Sequence, residues 1–267
     1  MEKYDPLEEI EFRIAQLKAI SPHDAKEGFM LEDIVNTLEK NKKLLSENPV
    51  TEYSGKIKRD HDVSQIKRAW QRRPAGSNDR IYVIKLDIDY FGDINKKHGE
   101  DKGDDVLKAS TEVLDEAITD ILKETVRAAD YIVGRGYHLH GEEKEVILFA
   151  PDEESARKAA ERYRAKIEEE SEKRFGFKVT ESIGISQWNI GAEPYEAAAK
   201  RADRNMQIAK AVYGRNYIVG PDNVPDVSQK ELEQRVAKDN IRKNARTLGL
   251  EMKEDGEGYR LYQKKEK

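Results

Sequence analysis

The 267-residue chain contains no cysteine. Disulfide frameworks, thiol nucleophiles and Cys-ligated metal centres are therefore excluded. Apolar residues are scarce: hydrophobic side chains make up 37% of the chain against 38% charged, and there are only two tryptophans. This balance points to a modest core beneath long solvated helices. No apolar run approaches the roughly 18 residues that mark a membrane span. The segment Met1-Glu2-Lys3-Tyr4-Asp5 lacks the apolar stretch of a secretory signal. The expectation is a soluble, cytoplasmic protein without a membrane partner. A surplus of positive charge is also missing. The formal net charge is −5, which argues against wholesale nucleic-acid binding.

What is present begins with two amphipathic stretches. Asp5-Pro6 reads as a helix cap with proline in the first turn, followed by Leu7, Ile10, Ile14 and Leu17 at spacings of three and four. A second stripe, Leu31, Ile34, Leu38 and Leu45, ends before Pro49. Such stripes need a partner surface. Two readings stay open for residues 1–48: a helical hairpin packed on the rest of the chain, or a leader that dimerises. Residues 49–79 read as a connector. Between 56 and 73 it holds seven basic residues against two acidic ones, with Trp70 among them. A solvated helix with a packed tryptophan accounts for this; a phosphate contact is the alternative.

From residue 80 to 220 the elements alternate. Ile81–Leu86, Tyr131–Val133, Val146–Phe149, Val179–Ser186 and Tyr217–Val219 read as strands. Asp104–Lys123, Glu153–Glu170 and Pro194–Ala211 read as helices. The order predicts an α+β fold, a mixed sheet flanked by helices. Residues 226–267 form a small separate tail. Ser228 and Glu231 have capping-box spacing, Leu232, Val236, Ile241, Ala245 and Leu248 line a helix that Gly249 can end, and Asp255-Gly256 between Leu250-Glu251-Met252 and Tyr259-Arg260-Leu261 signals a hairpin.

The chemistry concentrates in residues 84–104. A strand ends in Asp87-Ile88-Asp89-Tyr90-Phe91, followed by Asn95 and by Gly103-Asp104. A carboxylate at a strand end can hold a divalent ion together with phosphate oxygens. Asp can accept from the N1–H and N2–H₂ groups of guanine, and Asn can both donate and accept. Further on come Val179-Thr180-Glu181-Ser182-Ile183-Gly184, then Arg201-Ala202-Asp203, Ala209-Lys210 and Gly214-Arg215-Asn216.

Over roughly residues 80–219 this set resembles the GGDEF nucleotidyl cyclase domain, the diguanylate cyclase family. The resemblance implies a palm-like sheet, with Asp87 and the backbone of Ile88 on a Mg²⁺ or Mn²⁺ ion. It implies Asn95 and Asp104 on the guanine of GTP, and Lys210 and Arg215 on the triphosphate. In such cyclases two domains each bring one GTP, and the 3′-oxygen of one attacks the α-phosphate of the other, so a homodimer is the implied assembly. There are departures. Phe91-Gly92 stands where many members have Phe-Lys. Lys210 and Arg215 are five apart where four is usual. The family's Asp-x-Leu-Thr-Gly-Leu-x-Asn-Arg segment is not found before the first strand.

The signature Gly-Gly-Asp/Glu-Glu-Phe should form a hairpin tip. Counting back from Pro151 places Glu142-Glu143-Lys144-Glu145-Val146 on it. Glu145 then matches the second acid as metal ligand and catalytic residue, and Lys144 replaces the first, offsetting phosphate charge. A shifted register, in which Glu142 or Glu143 reaches the metal, stays open. His138 and His140, two apart, admit a metal pair or an exposed polar face. Arg127-Ala128-Ala129-Asp130 resembles the family's Arg-x-x-Asp product-inhibition site. The resemblance thus implies a protein that binds GTP or a related nucleotide with a divalent metal in second-messenger signalling. Turnover and catalytically silent nucleotide sensing or protein interaction both remain open.

Overall fold

The computed structural model describes residues 5–22, 25–47, 51, 54–71, 80–124, 134–247, 250–255 and 258–263. Three helices come first: α1 (Pro6–Lys18), α2 (Ala25–Ser46) and α3 (Lys56–Gln71). They are followed by β1 (Arg80–Ile88), α4 (Phe91–His98), α5 (Glu100–Glu124), β2 (Gly134–His140), β3 (Glu143–Ala150), α6 (Glu153–Phe175), β4 (Glu181–Trp188), α7 (Tyr195–Ala211) and β5 (Ile218–Val219). The chain ends in α8 (Gln229–Thr247) and a hairpin of β6 (Leu250–Asp255) and β7 (Gly258–Gln263). The expected strand at Tyr131–Val133, the Arg127–Asp130 site, Gly249 and the Gly256 turn lie outside the described residues.

The main sheet has the order β2-β3-β1-β4-β5. β1 is central and antiparallel to both β3 and β4, and β5 runs parallel to β4. This is the expected α+β mixed sheet with helices on both faces. β1 is covered on both sides, so it reads as a continuous apolar run, Ile81-Tyr82-Val83-Ile84, rather than as an alternation. Tyr82, Ile84 and Leu86 face α5 and α6, packing on Val113, Leu114, Ile118, Ala160 and Ile167. Ile81 and Val83 face the other way, onto Val63 and Ile66 of α3 and Tyr195, Ala198 and Ala202 of α7. Each fully buried Ile or Leu here contributes about 1.5–3 kcal/mol. α7 lies unusually close to β4 because Gly184 has no side chain. A Cβ there would stand 2.0 Å from the Ala202 carbonyl oxygen.

The helical leader is tied to the sheet domain through α3. Asp5 caps α1 by accepting from the Leu7 and Glu8 amides, and it also meets His61 at 2.9 Å. Leu7 is fully buried, and Arg68 grips Glu8 through two hydrogen bonds. The stretch read as a connector is therefore largely a packed helix. Trp70 joins the apolar cluster beneath it, and Arg59 points inward to Glu145; Arg72 and Arg73 lie outside the described residues. The tail helix α8 docks through Leu232, which is buried with Ile208, Ala209 and Val219. The Glu231 amide donates to Ser228 at the cap. Among the described residues, no helix is long and apolar enough to cross a membrane.

Candidate functional site

Period-two alternation along β1 puts Lys85 and Asp87 on one face, and the antiparallel register pairs Lys85 with Glu145 and Asp87 with Glu143. Asp87 is 7% exposed, and Lys210 from the last turn of α7 reaches its Oδ1 at 2.6 Å. Asp203, seven residues earlier on α7 and so on the same side, lies in the field of Lys85, Lys210 and Asp87. Burial raises its carboxyl above the ordinary range. Burial likewise raises Glu143, with Asp87 and Asp203 adding to the effect and His140 and Lys85 opposing it. Three carboxylates, Asp87, Glu143 and Asp203, thus lie toward the end of β1 with Lys85 and Lys210 beside them. Ile88 packs its side chain into the core with Phe91, Val106 and Leu107, leaving its backbone as what it can offer to a ligand.

Asp89 has a different task. It is buried, and it accepts from Ser182 Oγ at 2.7 Å, Thr180 Oγ1 at 2.9 Å and the Asn216 amide at 2.9 Å. Burial raises its carboxyl above the ordinary range despite those bonds. It fastens the turn after α7, where Gly214, Arg215 and Asn216 all have positive φ. Left-handed backbone at two successive non-glycine residues is strained and persists only when over-determined by its surroundings. Arg215 lies over the Tyr90 ring at 4.4 Å and is gripped by Asp239 of α8.

Asn95 projects from α4 against the start of α5. Its Oδ1 is buried and has no hydrogen-bond partner. A Cβ at Gly103 would stand 1.8 Å from that atom, so the glycine is what makes room for the amide. Asp104, the next residue, is exposed. A buried polar atom without a partner costs free energy unless a ligand or water meets it.

The structure does not bring Lys144 or Glu145 to Asp87. Lys144 points to the opposite face of β3, fully buried, where its Nζ meets Glu181 at 2.8 Å and also donates to Ser110. Tyr163 and Ser110 donate to the same Glu181 oxygen. Glu145 is on the Asp87 side but one pleat further back. Its Oε1 accepts from Arg59 at 2.7 Å and from the Tyr195 hydroxyl, and Lys85 is 2.7 Å from its Oε2. The hairpin turn lies at Gly141-Glu142, with Gly141 at φ +52°. Placing the signature at this tip puts His140-Gly141-Glu142-Glu143-Lys144 on it, two residues earlier than the count from Pro151. His138 is buried between Thr51 Oγ1 at 2.8 Å and the Gly141 carbonyl at 2.5 Å, whereas His140 is exposed. A register shift between the two breaks their common face.

Among the described residues no three His, Asp or Glu side chains are grouped to hold a metal ion alone. Two carboxylates across a strand pair, Asp87 and Glu143, fit an ion that also takes phosphate oxygens, the usual situation for Mg²⁺ in nucleotide sites. Glu143 was left open only as a shifted register, and Asp203, Lys85 and Asp89 were not singled out from sequence as site residues. Alternation on β1 and β3 and the seven-residue spacing on α7 are the signals that point to the first three.

Residues 59–216 match the family described as diguanylate cyclase, GGDEF domain, and the chain belongs to that family. The match begins inside α3 rather than at residue 80. Diguanylate cyclase A of Treponema denticola is 34% identical over 148 residues, 54% of this chain and 36% of that protein. The response regulator PleD of Caulobacter vibrioides is 34% identical over 153 residues, 56% of this chain and 31% of that protein. The chain thus spans about a third of the length of these curated relatives. Among solved structures, the coiled coil and GGDEF domain of DgcB from Caulobacter crescentus, in complex with c-di-GMP, superposes with a TM-score of 0.59 at 18% identity, covering 79% of this chain and 98% of that one. SiaD from Pseudomonas aeruginosa, in complex with its activator SiaC, gives 0.54 at 22% identity, covering 80% and 75%. These likenesses show a shared fold, and the low identity marks a divergent member.

Proposed function

We propose that this chain binds GTP, or a closely related nucleotide, with Mg²⁺ or Mn²⁺ at the end of β1, and that two copies convert it to a cyclic dinucleotide signal. The observation that carries the reading is the 2.6 Å contact between Lys210 and Asp87. A carboxylate suited to a metal and an ammonium suited to phosphate already meet where a metal-bound phosphate would bridge them. Asp87, the Ile88 carbonyl and Glu143 are the groups that would hold the ion. When bound, it supplies charge neutralisation at the phosphate oxygens. Glu145 and Lys144 support the strand from which Glu143 projects. Lys210 and Arg215 bind the triphosphate, while Asn95 and Asp104 read the base edge, the unpartnered Asn95 Oδ1 accepting from it. The names of the relatives, diguanylate cyclases among them, favour GTP and c-di-GMP.

A second reading, nucleotide sensing without turnover, rests on the altered hairpin tip, with His140 for the first glycine and Lys144 for the phenylalanine of the signature. Incubation of the full chain with GTP and Mg²⁺ or Mn²⁺, with mass-spectrometric analysis of products, separates the two. Cyclic dinucleotide and pyrophosphate are expected, and their absence beside retained GTP binding leaves the sensor. For base recognition, Asp104→Ala should weaken GTP binding about tenfold or more by calorimetry, since hydrogen bonds to a charged group are worth roughly 1.5–3 kcal/mol. Equal affinity in both proteins would remove the guanine contact.

Dimerisation through the leader is the accompanying proposal. Phe12, Phe29, Met30 and Leu44 on α1 and α2 are 59%, 72%, 59% and 70% exposed, more apolar surface than a solvated helix pair needs. Because α1 also packs on α3, substitution tests this better than truncation. Phe29→Lys with Leu44→Lys should halve the mass in solution.

A further inference from the structure

Beyond the family match, which stops at residue 216, α8 walls off a cleft of about 860 Å³ beside Lys210 and Arg215. That is within the range of small-molecule sites. Tyr90 and Asp93 line it, and α8 contributes Arg235, Lys238, Asp239 and Arg242. Five cations line the cleft against three carboxylates, so its field favours an anion. Asp239 grips Arg215 with both oxygens, Oδ1 at 3.2 Å from Nη1 and Oδ2 bound to Nη2. This is the fork-to-carboxylate geometry that a phosphate would also satisfy. The Arg215 side chain is 11% exposed and that of Asp239 28%. The face of the guanidinium lies over the Tyr90 ring. An incoming phosphate therefore finds Arg215 already bound. The helix that brings Asp239 is anchored independently of this contact, through Leu232 and through Arg204, which donates to the Val227 carbonyl at 2.8 Å.

We propose that α8 is the outer wall of a polyphosphate-binding site and that Asp239 is an internal stand-in for phosphate, which a polyphosphate must displace from Arg215. This rests on the nucleotide-binding reading above and adds to it a residue outside the shared domain that sets the affinity. Binding of Mg²⁺-pyrophosphate and of GTP is measured calorimetrically on the full chain, as wild type, Asp239→Asn, Asp239→Glu, and Asp239→Asn combined with Arg215→Ala. Thermal unfolding serves as the folding control, and Asp239→Ala as a second neutral variant. Asp239→Asn should tighten pyrophosphate binding up to about fivefold, the scale of one partly exposed charged contact. Asp239→Glu, which keeps the charge, should bind more weakly than Asp239→Asn, and Arg215→Ala should abolish the gain. Tighter pyrophosphate binding with no GTP binding in any variant would sustain this proposal and remove the nucleotide reading. Equal or weaker binding of both ligands by the folded neutral variants would overturn this proposal and leave GTP recognition standing. If neither ligand binds any variant, both fall.

Discussion

The two walls of the site use their polar groups in opposite ways. On the α4–α5 side, hydrogen-bonding capacity is left unspent. Asn95 keeps a buried oxygen without a partner, and Asp104 is exposed. On the hairpin side, the charges behind the tip are already paired. Lys144 is held by Glu181 and Ser110, Glu145 by Arg59, Lys85 and Tyr195, and His138 by Thr51 and Gly141. The difference is between side chains with capacity still open and side chains that hold the wall in position. Both kinds are polar, so polarity does not distinguish them; what each side chain already touches does.

Breaking the pairs tests this contrast, and Glu145 carries the largest expected effect. Glu145→Ala leaves Arg59 and Lys85 beside an empty, buried position. Removing one partner of a buried ion pair typically costs about 3–5 kcal/mol, read as a lower midpoint in chemical denaturation. Unchanged stability with lost metal-dependent nucleotide binding would instead make Glu145 a ligand.

Next in size is the pair on the other face. Lys144→Met strands the Glu181 carboxylate in the core with Tyr163 and Ser110 left to hold it among the described residues, at a cost of roughly 3 kcal/mol. The double variant Lys144→Met with Glu181→Leu should recover most of that loss, because a packed apolar pair replaces a buried ionic one at little or no net cost. A double variant as unstable as the single one would show that the ion pair itself specifies the packing of β3.

The smallest effect is pH-dependent. Burial lowers the pKa of His138 below its ordinary 6.5, and the nearby Lys144 acts in the same direction. The unfolded chain then binds a proton that the folded chain resists. This contribution to stability is present above the ordinary value and is lost as the pH falls through the lowered one. Stability measured across that window should decline on acidification, and His138→Gln should flatten the decline. An unchanged slope would show that other groups dominate the acid limb.

Much of this was legible without coordinates. Alternating strand and helix patterns fixed the α+β class, and the strand end at Asp87 with Asn95, Gly103 and Asp104 pointed to a metal-and-purine pocket. Those residues are close in sequence and lie on consecutive elements, so local spacing carries the information. The role of α3 was obscured because its inward-facing Arg59 and Asp62 look like solvated charges in a basic run. Only their partners on β3 and β2, Glu145 and Tyr137, reveal them as buried.

The sequence by itself determined the family and the α+β class. Tertiary structure decided which of Glu142, Glu143, Lys144 and Glu145 turns toward Asp87. In a strand, a shift of one residue reverses the face of every side chain, and a shift of two moves a group one pleat along it. That register is set by the turn at Gly141 and by pairing with β1, contacts that a count back from Pro151 does not contain. Tertiary structure likewise brought Asp239 onto Arg215, since nothing in the spacing of residues 215 and 239 says that α8 folds back over the end of α7.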